Sequence, residues 1–449
     1  HNPYAMAVVS RVAARRPRRN WLAVMRELRR RAMVAASAAF RLLPSDLRQR
    51  MAPALRRIYH RQIASSMPQA AARIDLSRPW GVGVFGYLTA ESGIAEGARG
   101  SVLSLEAAGV PVKAINVEVG AFANAESSFA VAESRDNPFA VNLVHLNADH
   151  AAMLPDWIGA ANYAERYTIA FWAWELAEFP DALKPAFEAV HEVWVPSSYV
   201  AKALGAKTDK PVRVMPHRVM VEAPAAVSRQ KFGLPDDAVL FLTAIDFNSF
   251  LERKNILGTI VAFRAAFDGG GSKAHLVIKA HGGASSFRTP RAQLMKAVGG
   301  DPRITVIDRV LPRSEVTELQ AAADVFVSLH RAEGFGLPIA EAMGLGKLVI
   351  ATDYSGSTDF VSADCAMPVR YRMVEVGEKA YPLGGGQFWA DPDLGEAARL
   401  MRLAAEDAAL RARLGAAAAE RVKRQLNGAV VGARMAVRLA EIRAGLAAQ

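Results

Sequence analysis

Cysteine is almost missing from these 449 residues: Cys365 stands alone, so no disulfide can close within the chain and no Cys/His set of zinc-site spacing can be assembled around it. Such a chain asks for no oxidising compartment, and a cytoplasmic setting is expected. Long apolar runs are missing as well. Arginine interrupts every candidate near the N-terminus, Met33–Phe40 included, which leaves no span for a transmembrane helix and no convincing signal peptide. Because it begins at His1 rather than Met, the chain is expected to be a trimmed or partial polypeptide. Acidic residues are scarce at one end only. Residues 1–62 hold fifteen Arg against two acids, Glu27 and Asp46, whereas the remainder of the 55 basic and 44 acidic residues is 40 against 42. The net charge of +11 therefore belongs to an arm, and a nucleic-acid partner for the folded body is not expected.

What the sequence does have is core-forming material. With 51% apolar residues, and at about 100–200 residues per domain, the chain has room for two or three folded units. The arm, 1–76, places Trp21, Met25, Leu28 and Leu42 among Arg26, Arg29, Arg30 and Arg31 at roughly helical spacing. This spacing suggests an amphipathic basic helix. A solvated linker, a helix packed on a missing neighbour and peripheral contact with an anionic membrane surface are all open to it.

From Trp80 onward short β-branched runs alternate with helical stretches. Strands are expected at 81–88, 111–117, 140–146, 167–174, 192–196 and 212–216, and after a turn-rich gap at 222–237 a second series follows at 238–245, 275–280, 304–310, 324–329 and 348–352. Such alternation means parallel, doubly wound α/β sheets, and two series mean two Rossmann-like domains, 77–220 and 221–393, facing a central cleft. The last hundred residues lose the strand pattern. Helices are expected from about 394 to 414 and 416 to 447, and within 394–449 the last is expected to return to the first domain. In open α/β sheets ligands sit beyond the carboxyl ends of the strands, so the cleft is the natural site.

The most informative stretch runs from His330 to Thr352. It leaves an apolar strand, passes a glycine-rich turn and enters a helix at about Leu337, with Pro338 in the first turn where a missing N–H costs nothing. The amides of Gly334, Phe335, Gly336 and Leu337 then point out of a helix N-terminus, where anions are bound readily. Glu333 stands at the mouth of the turn and Glu341 one turn into the helix. Two carboxylates and open amides around one pocket suit a polyhydroxylated, phosphorylated ligand.

This segment resembles the signature of the retaining GT-B glycosyltransferases of family four, in which a glutamate, seven residues and a second glutamate surround a Gly-Phe-Gly-Leu-Pro turn. The likeness extends over about residues 78–445 and is less specific in the first half. It implies that Glu333 holds the donor sugar with the amides of the turn, that Glu341 grips the ribose, and that Lys254, in Asp246-Phe-Asn-Ser-Phe-Leu-Glu-Arg-Lys-Asn255, clamps the pyrophosphate. In the common pattern an Arg precedes that Lys by six residues, but here Asn248 stands there. Arg253, Lys279 and Arg288 are the candidates for the second cation.

In the first domain, Gly83-Val-Phe-Gly86 and Glu91-Ser92-Gly93 form a turn that fails the G-x-G-x-x-G spacing and resembles the family's loop over phosphates and acceptor, with a plain helix cap at Ser92 as the alternative. The expected strand 167–174 would aim Trp172 and Trp174 at the cleft beside Glu175, a sugar platform or else core packing. His145 and Asn147 end the neighbouring strand and are further acceptor candidates or structural groups. Asp391-Pro-Asp393 spells D-x-D, but Asp393 is better taken as an N-cap, so no metal and no cofactor is expected.

The resemblance implies a retaining hexosyltransferase working from a nucleoside-diphosphate sugar on a glycan, a lipid-linked or a small-molecule acceptor, in the setting of polysaccharide biosynthesis. A scaffold that binds without turnover, and a phosphorylase or epimerase on the same fold, are the alternatives.

Overall fold

Between Val82 and Val369 apolar strands alternate with helices, and the alternation produces two parallel sheets. The computed structural model describes residues 67–90, 92–118, 129–269, 273–281, 288–378 and 380–448. The chain divides into two units, 1–65 and 66–449, and residues 1–66 of the arm, its expected helix included, lie outside the described residues.

The first sheet contains β1 (Val82–Gly86), β2 (Val112–Asn116), β3 (Val141–Val144), β4 (Tyr167–Phe171), β5 (Glu192–Val195) and β6 (Val212–Val214) in the order β2-β1-β3-β4-β5-β6. The second contains β7 (Val239–Asp246), β8 (Ala274–His281), β9 (Ile304–Asp308), β10 (Val325–Ser328), β11 (Leu348–Thr352) and β12 (Met367–Val369) in the order β12-β11-β10-β7-β8-β9. Every pairing in both is parallel. Central strands β1, β3 and β11 are buried along their whole length, as a sheet covered by helices on both faces requires. The eleven expected strands are all present, so the doubly wound α/β architecture holds.

Two sequence-based expectations need correction. The last hundred residues are not free of strands: β12 closes the second sheet, and β13 (Tyr371–Glu375) pairs antiparallel with β14 (Phe388–Pro392). Exposed Tyr371, Arg372 and Met373 give β13 no apolar alternation, which hid it. Three helices follow instead of two, Leu394–Glu406, Ala408–Gln425 and Gly428–Ala447. Asp393, Asp407 and Asn427 cap them, each accepting from the amide three residues on.

The terminal helix lies on helix Gly93–Ala107 of the first sheet, burying Val431, Met435, Leu439 and Ile442 against Val102 and Leu105. The backbones approach so closely that a Cβ on Gly432 would stand 2.0 Å from the Ser104 carbonyl oxygen, so only glycine fits. Arg438 from the same helix reaches fully buried Glu192 at 2.6 Å.

The two sheets meet directly. Ser197 Oγ donates to the Gly334 carbonyl (2.6 Å), the Ser198 amide to Asp359 (2.7 Å) and the Glu178 amide to Gln387 (3.1 Å). One apolar cluster runs across this junction, joining Trp174, Leu176 and Phe179 to Ala332, Tyr381 and Trp389.

Candidate functional site

Strand β7 ends at Asp246, and the chain turns through Phe250 (φ +63°) into the short helix Leu251–Lys254, which Asn255 stops with φ +52°. Asparagine tolerates this left-handed conformation, and here its side-chain amide also donates to the Leu329 carbonyl (2.9 Å) at the end of β10. The turn therefore holds Arg253 and Lys254 against the segment that follows β10.

There they meet Glu333. Lys254 Nζ lies 2.5 Å from one carboxylate oxygen and Arg253 Nη1 3.3 Å from the other. Arg253 is buried and also donates to the Ala332 and Ser249 carbonyls. Burial alone would raise the Glu333 pKa, but Lys254 and Arg253 outweigh it and bring it down to about 2, so the group is a carboxylate at any working pH. The Glu333 amide donates to Ser355 Oγ (2.8 Å), and Ser355 holds φ +70°, a strained conformation of the sort that gathers at functional sites.

Gly336 takes φ +94°, open to glycine at little cost, and turns the chain into helix Leu337–Gly344. Its carbonyl accepts from Ile339 and Ala340. Among the described residues the amides of Gly334, Phe335, Gly336 and Leu337 have no hydrogen-bond partner. The Phe335 ring is buried between His217 (5.1 Å) and Phe360 (5.0 Å), so its contribution to a ligand is its backbone. Buried Glu341 takes one bond from Arg313 (2.5 Å) and one from Gln320 (3.0 Å), which leaves each carboxylate oxygen a lone pair for a hydroxyl.

Glu175 joins the cluster from the other half of the molecule. It accepts a short hydrogen bond from the Tyr381 hydroxyl and lies 3.8 Å from Arg253. Burial, then Glu175, pushes the Tyr381 phenol well above its usual range. Glu175, Arg253, Glu333 and Lys254 thus alternate in charge along one wall.

Other expected site residues are placed elsewhere. Strand β4 stops at Phe171, so Trp172 and Trp174 do not share a strand face. Trp172 is packed between Phe179 and Phe187 in the core, with no face left for a ligand. Trp174 is also buried, its indole N–H given to the Glu178 carbonyl, edge-on to Tyr381. His145 stacks on Phe171 and bonds Ser101 Oγ, and burial takes its pKa well down, so it is a neutral structural group. Asn147 accepts from the Ala173 amide and ties the strand ends together. Lys279 gives its ammonium to the Ala280 and Arg309 carbonyls. Gly93 opens helix Gly93–Ala107, capped by Ser92, with open space beside it. Glu91 and the side chains of Asn248 and Arg288 lie outside the described residues. Of the D-x-D pair, Asp391 bonds Arg331 and Asp393 caps its helix. Among the described residues no group of three His, Cys, Asp or Glu is arranged to hold a metal ion.

Residues 240–373 match the family model described as glycosyl transferases group 1, a span that contains Lys254, Glu333 and Glu341. No curated protein matches the chain. Solved glycosyltransferase structures share the fold of both sheets: sucrose-phosphate synthase from Thermosynechococcus elongatus superposes with a TM-score of 0.59 at 16% identity, over 82% of this chain and 100% of that one. HepE of Anabaena, solved with UDP and glucose, gives 0.56 at 12% identity over 81% and 100%. A glycosyltransferase from Rickettsia africae gives 0.56 at 13% over 81% and 98%. The architecture of the two sheets is therefore GT-B.

Sequence reasoning missed Arg313, Gln320 and Tyr381. Arg313 had a signal, since it opens the helix after β9, at the carboxyl end of the second sheet where ligands gather. Tyr381 had none: it lies 206 residues from Glu175, on a connection between two strands that the apolar pattern does not reveal.

Proposed function

We propose that this protein is a retaining glycosyltransferase and moves a sugar from a nucleoside-diphosphate donor to a hydroxyl of a glycan, lipid-linked or small-molecule acceptor. The observation that carries the reading is the convergence of Lys254 and Arg253 on Glu333 beside four open amides, with Glu341 one turn along the same helix. The amides and Lys254 would take the diphosphate, Glu341 the ribose and Glu333 the donor sugar. HepE, which is described as bound to UDP and glucose, shares this fold and supports a nucleotide-sugar donor.

The chemistry suits attack from the face that the leaving group departs. The bond from the anomeric carbon to the diphosphate oxygen breaks, the acceptor oxygen bonds to that carbon on the same face, and its proton passes to the departing phosphate oxygen. Both oxygens of Glu333 face cations and its pKa is about 2, so it is a poor base and a poor nucleophile. Its role is to orient the sugar and to balance positive charge growing on the anomeric carbon. The protein's contribution is then placement and fixed charge, with no metal or other cofactor required.

Calorimetric titration with the cognate nucleoside diphosphate separates the two glutamates. Glu341→Ala is expected to weaken binding about ten- to a hundredfold, through lost charge-assisted hydrogen bonds of about 1.5–3 kcal/mol. Glu333→Ala releases Lys254 and Arg253 and is expected to keep or raise that affinity while transfer collapses. Equal loss of affinity in both variants would refute this division. Product formed without acceptor would favour an epimerase.

Residues 1–62 we assign to contact with an anionic membrane surface, on the cytoplasmic side, because their fifteen Arg are interleaved with apolar residues. Among the described residues no helix is long and apolar enough to cross a membrane. The full chain is expected to sediment with anionic liposomes at low salt and to come off as ionic strength rises, while a chain starting near Asp75 stays in the supernatant. Equal binding by the two forms ends this assignment.

A further inference from the structure

Beside Glu341 lies a cavity of about 240 Å³. It is lined by Glu96 and Leu103 of helix Gly93–Ala107, by Arg313 and Glu341, and by Arg218 and Met220 from the segment joining the two sheets. The volume falls below the roughly 300–1,000 Å³ of pockets that take a drug-sized ligand, so it suits one heterocycle rather than a whole nucleotide sugar.

The charges in it are unevenly satisfied. Arg313 has Glu341 at 2.5 Å, and Glu96 has Arg99 at 3.1 Å and Arg313 at 3.8 Å. Arg218 is different. Its guanidinium donates to the Met220 thioether, a weak acceptor, and its buried Nε has no partner among the described residues. Burial pulls the Arg218 pKa down, with Glu96 and Glu106 acting against it. Its backbone is also fixed: the neighbouring His217 ring is held by Phe171 and Phe335, each at 5.1 Å, and the Val219 amide donates to the Leu426 carbonyl at 2.7 Å. Arg218 Nε is thus a buried donor left unpaired, a cost that an acceptor on a ligand would offset.

We infer that Arg218, with Arg313 and Glu96, reads the base of the donor nucleotide, and that the cavity takes an oxo base, uracil or guanine, in preference to adenine. The inference rests on the donor reading above: the cavity is lined by Leu337 and Glu341, which that reading gives to the diphosphate and the ribose, so a nucleotide held by both would extend its base toward Arg218 and Arg313. Uracil and guanine present ring carbonyl oxygens next to an N–H, matching two guanidinium donors around a carboxylate acceptor. Adenine instead sets an amino group, a donor, where uracil or guanine sets a carbonyl oxygen, so its edge turns a donor toward the cations, and sites built to make such hydrogen bonds discriminate strongly against ligands that mismatch them.

The test is calorimetry of the full chain with UDP, GDP and ADP, repeated on Arg218→Met, which keeps most of the apolar stem and loses the fork. The wild type is expected to bind UDP or GDP at least tenfold more tightly than ADP, and Arg218→Met to narrow that ratio to threefold or less. A ratio of two affinities in one sample does not depend on the fraction folded. If the methionine variant cannot be purified, Arg218→Lys, with the charge but not the fork, is expected to show the same narrowing. ADP binding as tightly as both others overturns the inference, as does a preference that survives intact in the variant. Failure of all three nucleotides to bind sinks the donor reading itself, and this inference with it.

Discussion

Lys254→Ala is expected to lower kcat by about 100- to 1,000-fold, the usual cost of removing one fixed group aimed at charge that develops in a transition state. In the free protein the ammonium rests 2.5 Å from Glu333, on a side chain 15% exposed, so a diphosphate entering the cleft finds a cation already desolvated and in place. Its attraction grows as the sugar–phosphate bond breaks and negative charge gathers on the leaving oxygen, which is why the loss belongs in kcat more than in donor binding. Initial rates at saturating donor, beside titration with the nucleoside diphosphate, separate the two terms. A variant with normal kcat and a raised KM would mean that Lys254 grips substrate and transition state alike, and the assigned role would fail.

Glu192→Ala is expected to destabilise the protein by about 3–5 kcal/mol, since it strips the partner from a charge held in the interior. Glu192 is fully buried on β5 and accepts from Arg438 at 2.6 Å, from the Trp194 indole at 2.8 Å and from the Tyr167 hydroxyl at 3.3 Å. The bond to Glu192 is the main reason that the Arg438 pKa is raised. Urea denaturation of Glu192→Ala, Arg438→Ala and the double variant forms a cycle in which the double is expected to lose clearly less than the two singles together. Additive losses would show that the pair is not coupled and that the terminal helix is held by its apolar face alone.

The sequence carries the two sheets because their strands are short, β-branched and separated by helices, and periodicity is the strongest local signal of secondary structure. It carries Glu333 and Glu341 for a different reason: the turn, the helix cap and both carboxylates are contiguous, so their spacing in the chain is their spacing in the site. What it does not carry is partnership across distance. The bonds from Arg313 and Gln320 to Glu341, and from Tyr381 to Glu175, join segments 28, 21 and 206 residues apart. The tryptophans erred through a single boundary: ending β4 at Phe171 instead of 174 removed the alternation that aimed them at the cleft. Aromatic rings at a strand end were as consistent with a core as with a platform, and tight packing of Trp172 against two phenylalanines decides for the core.

The return of helix Gly428–Ala447 to the first sheet means that the polypeptide passes between the halves twice, once near Val219 and once near Leu426, with the Val219 amide bonded to the Leu426 carbonyl where the passages run side by side. Two adjacent tethers act as a door hung on a pair of pins. They fix the two halves against twist and sideways slip on the side of the crossings, and the charge pair that Glu175 and Arg253 make from opposite leaves depends on that alignment.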